Sequence, residues 1–89
     1  MEWIYLKGIP IEAQYLYRKG MEMEDRGDHR AALAYFGQAV LLAPAYAKAI
    51  FEMGNCLACM GRYDEAMVKY QRAAGVDPNY SMDGKKPIP

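Results

Sequence analysis

Two cysteines that stand three residues apart, Cys56 and Cys59, are the side chains best suited to chemistry in this sequence. A C-x-x-C pair can act as a redox dithiol or supply half of a zinc site. A reactive pair favours a helix N-terminus, which lowers the thiol pKa. The apolar pattern around this pair instead predicts a position in the middle of a helix. We therefore interpret both cysteines as small packing residues and expect no metal or other cofactor.

His29 is the only histidine and Ser81 the only serine of the chain. A zinc site needs four ligands, and the repeat described below separates His29 from the cysteines. A zinc site made from the cysteines of two chains has no other support. No nucleophile is placed beside His29 and no Gly-rich phosphate loop occurs, so the chain is predicted not to be an enzyme and His29 to lie at the surface.

Composition indicates one small folded domain, because 53% of the 89 residues are hydrophobic and 25% are charged. Lys plus Arg and Asp plus Glu both number 11, so the formal net charge is zero and no basic patch predicts a nucleic-acid or anionic-membrane partner. No apolar run has the roughly 18 to 20 residues of a membrane span. The start of the chain lacks the features of a signal peptide, which predicts a cytoplasmic protein with reduced thiols.

Four helices are predicted at residues 13–26, 29–42, 47–60 and 63–74 from apolar residues spaced at the helical period. The turn Gly27-Asp28 separates the first two, Gly61-Arg62 separates the last two, and Pro44 ends the second. Prolines recur every 34 residues, at Pro10, Pro44 and Pro78, and the pattern of residues 13–46 returns in residues 47–80. The chain therefore consists mainly of two copies of one helix–turn–helix unit.

This period and pattern resemble the tetratricopeptide repeat (TPR) family. The positions that match its signature are Leu16, Gly20, Met23, Ala32, Phe36, Ala39 and Pro44 in the first copy, and Ile50, Met53, Gly54, Leu57, Ala66, Tyr70, Ala73 and Pro78 in the second. Lys19 is the clear departure, since the family has an apolar residue there. The resemblance covers residues 13–80 and implies an all-α fragment of an α-solenoid that acts in protein–protein interaction. We expect Gly20 to face Ala32 and Gly54 to face Ala66, so that paired helices approach closely.

The resemblance also implies a concave groove lined by the first helix of each copy. Its predicted residues are Gln14, Tyr17, Met21, Glu24, Asp25, Lys48, Phe51, Asn55, Ala58 and Cys59. Apolar side chains form the centre, Lys48 and Asn55 could hold a backbone or a carboxylate, and two acids mark one end. The groove holds either a peptide or helix of a protein partner, or this protein's own N-terminal segment or a second chain. The family's clamp for C-terminal carboxylates is not expected, because only Asn55 matches it.

Two repeats leave the outer face of the second one uncovered, whereas about three are usual for a stable stack. We therefore expect a homo-oligomer, formed by stacking or by swapping a helix. The residues predicted for self-association are Trp3, Leu6, Leu57, Met60, Met67 and Tyr70. Residues 1–12 are predicted to be an apolar segment, a possible stub of a preceding helix, and residues 81–89 a flexible tail. A purely structural, self-assembling scaffold is the alternative to a peptide-binding one.

Overall fold

A computed structural model of the chain describes residues 5–6 and 8–81. Four helices make up most of this part: α1 (Ile11–Asp25), α2 (His29–Leu42), α3 (Ala47–Cys59) and α4 (Tyr63–Val76). A short 3-10 turn, Pro78–Tyr80, follows α4. The prediction of an all-α chain built from two helix–turn–helix units is confirmed. Within the described residues, no helix is long and apolar enough to cross a membrane.

The two turns inside the helix pairs begin alike and end differently. Gly27 and Gly61 both have positive φ, +79° and +80°, as expected for glycine after a helix. Asp28 then caps α2, because its carboxylate accepts a hydrogen bond of 3.1 Å from the Ala31 backbone N–H. Arg62 gives α4 no side-chain cap and instead pairs with Glu65 in the first turn. The first pair is therefore the better capped of the two.

Close approach within each helix pair depends on a glycine that faces an aromatic ring. A Cβ atom added at Gly20 would lie 2.5 Å from the Phe36 ring, and one added at Gly54 would lie 2.6 Å from the Tyr70 ring. The nearest side-chain atoms to these glycines therefore belong to the two rings, which were not predicted to lie there, and the expectation that Ala32 and Ala66 face them stays a prediction. The glycine makes room for a flat ring from the second helix, and the ring fills the space between the helices.

The core is built mostly from alanine, with few large side chains. Phe36, Ile50 and Cys56 are the largest fully buried ones among the described residues. Phe36 and Cys56 pack with Ala32 in one cluster, which joins α2 to α3 and so joins the two units. Cys56 is thus a packing residue as expected, but Cys59 is exposed, so that interpretation is wrong for Cys59.

A small antiparallel hairpin precedes α1 and consists of β1 (Tyr5–Leu6) and β2 (Ile9–Pro10). Gly8 forms its turn with φ of +84°, and Gln14 of α1 donates a hydrogen bond of 2.9 Å to the Ile9 carbonyl. Residues 5–6 were expected to be the end of a helix, and the structure has a strand there. The rest of the predicted stub, residues 1–4, and the tail at 82–89 lie outside the described residues.

Candidate functional site

A row of three packed aromatic rings occurs in each unit, at equivalent positions. In the first unit the Tyr17 ring lies 5.5 Å from that of Tyr46 and 5.6 Å from that of Phe36. In the second unit the Phe51 ring lies 5.1 Å from that of Tyr80 and 5.3 Å from that of Tyr70. These distances suit tilted aromatic pairs. The predicted groove residues Tyr17 and Phe51 are therefore the central members of two aromatic rows.

The predicted apolar centre of the groove is partly used for internal packing. Tyr17 and Met21, both half-buried, pack against the cluster of Ala32, Phe36 and Cys56. Burial, and next the charge of Glu52, raises the pKa of the Tyr17 phenol, so its hydroxyl stays neutral. Both side chains are thus held partly by the core and remain partly exposed.

Lys48, another of the predicted groove residues, contacts an aromatic ring. Its ammonium group lies 5.3 Å from the centre of the Tyr17 ring, within the range of a cation–π contact. Beside it is a shallow cleft of about 270 Å³. The side chains and backbone that line it come from Ile9, Ala45, Tyr46, Ala47, Lys48, Val76, Asp77 and Tyr80. This cleft therefore offers the Lys48 cation and the Asp77 carboxylate next to apolar and aromatic surface.

Asn55 does not have the free amide that a carboxylate clamp requires. Its Oδ1 accepts a hydrogen bond of 2.7 Å from the Tyr70 hydroxyl, and its Nδ2 donates one of 3.3 Å to Glu52. Gln14 is likewise engaged with the Ile9 carbonyl. Asn55 thus links the groove helix α3 to the ring of α4, a role that the sequence did not indicate.

Acidic side chains gather at one end of the groove. Glu24 and Asp25 were predicted there. Glu52, which was not predicted, lies between these acids and Lys48, because the charges of both Glu24 and Lys48 act on its carboxyl. Burial raises the pKa of the Glu52 carboxyl, the hydrogen bond from Asn55 lowers it, and the charge of Glu24 raises it again. The signal for Glu52 was its position one turn after Lys48 on the same helix.

His29 lies next to one of the cysteines, contrary to expectation. Its Nδ1 atom and the Glu24 carboxylate form a hydrogen-bonded pair, and the Cys59 sulfur joins them. The prediction that His29 is distant was wrong because the last turn of α1, the start of α2 and the end of α3 meet at this end of the groove. Cys56 is not a reactive thiol, since burial, and next the charge of Glu24, raises its pKa.

The outer face predicted for self-association is only partly open. Leu57 is 2% exposed and belongs to the core, so its prediction as a surface contact was wrong. Met60 and Tyr70 are half-buried, and Met67 is 52% exposed. Trp3 and the Leu6 side chain lie outside the described residues. Tyr63 and Val68, which were not predicted, are also largely exposed on α4.

Two helix pairs related by a 34-residue shift define a helical-repeat protein of the α-solenoid type. The tetratricopeptide repeat model matches residues 23–82. The chain therefore belongs to the tetratricopeptide repeat family, whose domains are non-enzymatic and mediate protein–protein interactions.

Two relatives differ greatly in size. An uncharacterized protein of Methanocaldococcus jannaschii is 36% identical over 80 residues, which cover 84% of this chain and 93% of that protein. A small glutamine-rich tetratricopeptide repeat-containing protein of Mycosarcoma maydis is 31% identical over 70 residues. That match covers 79% of this chain but 20% of the fungal protein. The matched region thus spans nearly all of one relative and a fifth of the other.

Proposed function

We propose that this chain is an interaction module that binds a peptide segment or helix of a protein partner in the groove of α1 and α3. The observation that best supports this proposal is the position of Phe51. It lies at the centre of the second aromatic row and is half-buried between Tyr70 and Tyr80. A rigid aromatic ring held from both sides is the kind of residue that dominates binding energy at protein interfaces.

The charges at the two ends of the groove give the ligand a direction. Lys48 favours a carboxylate beside the cleft, while Glu24 and Asp25 favour a basic residue at the opposite end. An apolar side chain between them would contact Phe51 and Met21. The proposed ligand is therefore a short segment with an acidic residue, an apolar anchor and a basic residue, in that order along the groove.

Selection from a random peptide library, followed by calorimetric titration of the selected peptides, tests this proposal. Phe51→Ala is expected to weaken binding roughly tenfold or more, the effect of losing about 1.4 kcal/mol. Lys48→Glu, at an exposed position, is expected to lower the affinity most for peptides that contain the acidic residue. Leu41→Ala is the matched control, because Leu41 is 83% exposed on α2 outside the groove.

Two results would contradict groove binding. One is a selection that yields no peptide with an apolar anchor. The other is an equal loss of affinity for Leu41→Ala and Lys48→Glu, which would place the peptide on a different surface. Circular dichroism of each variant separates a lost contact from a lost fold, which matters most for Phe51→Ala.

A second function, self-association, has its own supporting observation on α4. Met67 stands where the first unit has Leu33, which is half-buried against the cluster that α3 completes. No described residue covers Met67 in the same way, and it is 52% exposed. We propose that a second copy of the chain stacks on this face, because net charge near zero opposes association little.

Light scattering at tens of micromolar, with two matched variants, tests self-association. Met67→Lys is expected to shift the chain from dimer to monomer. Val68→Lys is expected to change nothing, because Val68 is the counterpart of Ala34, which stays exposed even in the covered unit. A monomeric parent chain would refute stacking and leave peptide binding untouched. Assembly that survives Met67→Lys would point to a swapped helix instead.

A further inference from the structure

Three side chains able to bind a metal converge at the acidic end of the groove. Glu24 comes from the last turn of α1, His29 is the first residue of α2, and Cys59 is the last residue of α3. One ligand atom of each lies within 4.8 Å of the others. This set, the Glu24–His29–Cys59 cluster, therefore draws on three helices and both repeats.

The atoms of this cluster match the preferences of zinc. A ring nitrogen, a sulfur and a carboxylate oxygen are the ligand types of Zn²⁺ sites, whereas Ca²⁺ and Mg²⁺ take oxygen ligands. The Glu24 side chain is 15% exposed and that of His29 33% exposed, so both are held largely by the fold. Cys59 is exposed and leaves a path for an ion from solvent.

The electrostatics at this end also favour a cation. Glu24 and Glu52 are close enough for the charge of Glu24 to contribute to the raised pKa of Glu52. The ion-pair partner of Glu24 in the described part of the chain is His29, which is charged only when protonated. A divalent cation would offset both carboxylates, and a zinc ion would also bind the thiolate.

We propose that Glu24, His29 and Cys59 bind one Zn²⁺ per chain, with a fourth position left to water or to a group of a partner protein. Ligand atoms of a tetrahedral zinc lie roughly 3.3 to 3.8 Å apart, from metal–ligand lengths of about 2.0 to 2.3 Å. The Cys59 side chain must therefore turn inward, which its exposure permits, and the Glu24–His29 hydrogen bond must open. The ion would tie the α1–α2 turn to the end of α3 and fix one end of the groove.

Cys56 is not part of the proposed site and supplies the matched control. It is fully buried beside Ala32 and Phe36, and its sulfur is not among the three converging atoms. The C-x-x-C spacing would suggest that both cysteines bind together. In the structure Cys56 packs in the core and only borders Glu24, whose charge and hydrogen bond raise the pKa of its thiol, whereas the Cys59 sulfur is one of the converging atoms.

Zinc titration of the chelator-treated protein by calorimetry, together with cobalt substitution, tests the site. The parent chain is expected to bind one ion per chain, to melt at a higher temperature with zinc, and to show a thiolate-to-cobalt charge-transfer band. His29→Ala and Cys59→Ser are each expected to weaken zinc binding more than about 100-fold, because losing even an outer-shell partner costs about 10- to 100-fold. Cys56→Ala removes a neighbour of Glu24 but no proposed ligand, so it is expected to weaken zinc binding far less than either of these variants.

Two outcomes would overturn the proposal. The absence of stoichiometric zinc binding by the parent chain is the first. The second is a loss of binding in Cys56→Ala as large as in Cys59→Ser, which would assign the metal to the cysteine pair. Circular dichroism of the metal-free variants verifies folding, and the half-exposed or exposed positions of His29 and Cys59 make a folding defect in their variants unexpected.

Discussion

The two repeats carry the same pattern 34 residues apart, yet their central aromatic residues differ in burial. Phe36 in the first repeat is 0% exposed, while its counterpart Tyr70 in the second is half-buried. The alanines beside them, Ala32 and Ala66, are buried in both. The inner face of a helix pair is therefore set by the pair itself, and the burial of its outer face depends on the next unit.

The chemistry of the two side chains follows this difference. Phe36 is enclosed because Cys56 and Met53 of α3 pack against its cluster, and a phenyl ring needs no polar partner there. Tyr70 is partly exposed to solvent, and its hydroxyl donates a hydrogen bond to Asn55. Tyrosine suits a site that is apolar on one side and polar on the other. Phenylalanine thus stands at this position in the repeat whose ring is enclosed, and tyrosine in the repeat whose ring is partly exposed.

Truncation of the Phe36 and Tyr70 rings should give the largest difference between the repeats in the loss of unfolding free energy. Phe36→Ala is expected to cost about 3 to 5 kcal/mol of unfolding free energy, the range for a fully buried aromatic side chain. Tyr70→Ala should cost about 1 to 3 kcal/mol, because a half-exposed ring leaves a smaller cavity. Urea denaturation measures both. Equal losses would mean that the second repeat is covered in solution.

Replacing the two glycines by alanine should also destabilise the two repeats unequally, but with a smaller difference in unfolding free energy. Gly20→Ala forces a methyl group against the enclosed Phe36 ring and is expected to cost about 1 to 3 kcal/mol. At Gly54 the Tyr70 ring can move toward solvent, at the expense of its hydrogen bond to Asn55. The higher helix propensity of alanine, about 1 kcal/mol, then offsets much of the cost.

The same urea experiment checks this pair of variants. Gly20→Ala should lower the unfolding midpoint clearly more than Gly54→Ala. A Gly54→Ala variant as unstable as Gly20→Ala would show that the Tyr70 ring is held as rigidly as that of Phe36.

Local signals in the sequence predicted the helices well. Glycines at 27 and 61 and Pro44 mark the ends, and α2 was predicted with the bounds that the structure has. What faced Gly20 could not be predicted in this way. Periodicity assigns a residue to a face of its helix, but it does not say which side chain of the partner helix fills the gap. A ring four residues past the expected alanine fills it.

The proximity of His29 to Cys59 was not predicted from the sequence, for a different reason. Sequence distance separates them, and only the placement of equivalent positions side by side brings them together. Cys59 is the repeat counterpart of Asp25, the neighbour of Glu24 and of the turn that leads to His29. Comparing repeat positions, instead of distances along the chain, would have indicated the cluster. The Tyr5–Leu6 strand has no such signal in the repeat, because it lies before the first unit.

Removing the caps tests whether the better capped turn matters. Asp28→Ala is expected to cost about 1 kcal/mol, since the Ala31 N–H loses its side-chain acceptor. Arg62→Ala should cost less than about 1 kcal/mol, because it removes only an exposed pair with Glu65. Chemical denaturation gives both values. An Arg62→Ala loss larger than that of Asp28→Ala would mean that the pair with Glu65 acts as the cap of α4.

Glu52 and Arg18 occupy the same repeat position, and only the acid is half-buried. Because burial raises the pKa of Glu52 above its ordinary 4.5, the folded chain takes up a proton more readily than the unfolded chain. This group therefore lowers stability as pH rises from about that value through the raised pKa. Glu52→Gln keeps an oxygen for the Asn55 amide and removes the charge. We expect it to stabilise the chain at neutral pH by less than about 1 kcal/mol, a gain limited by solvent screening.

The gain from Glu52→Gln should shrink as the pH falls below 4.5, where the parent carboxyl is neutral in both states. Thermal melting at a series of pH values measures it, and Arg18→Gln, at the exposed counterpart, should show no such dependence. A Glu52→Gln variant that is less stable than the parent at neutral pH would contradict the expectation. It would mean that attraction to Lys48 exceeds the cost of burying the carboxylate, and that the charge of the second repeat helps to hold the groove together.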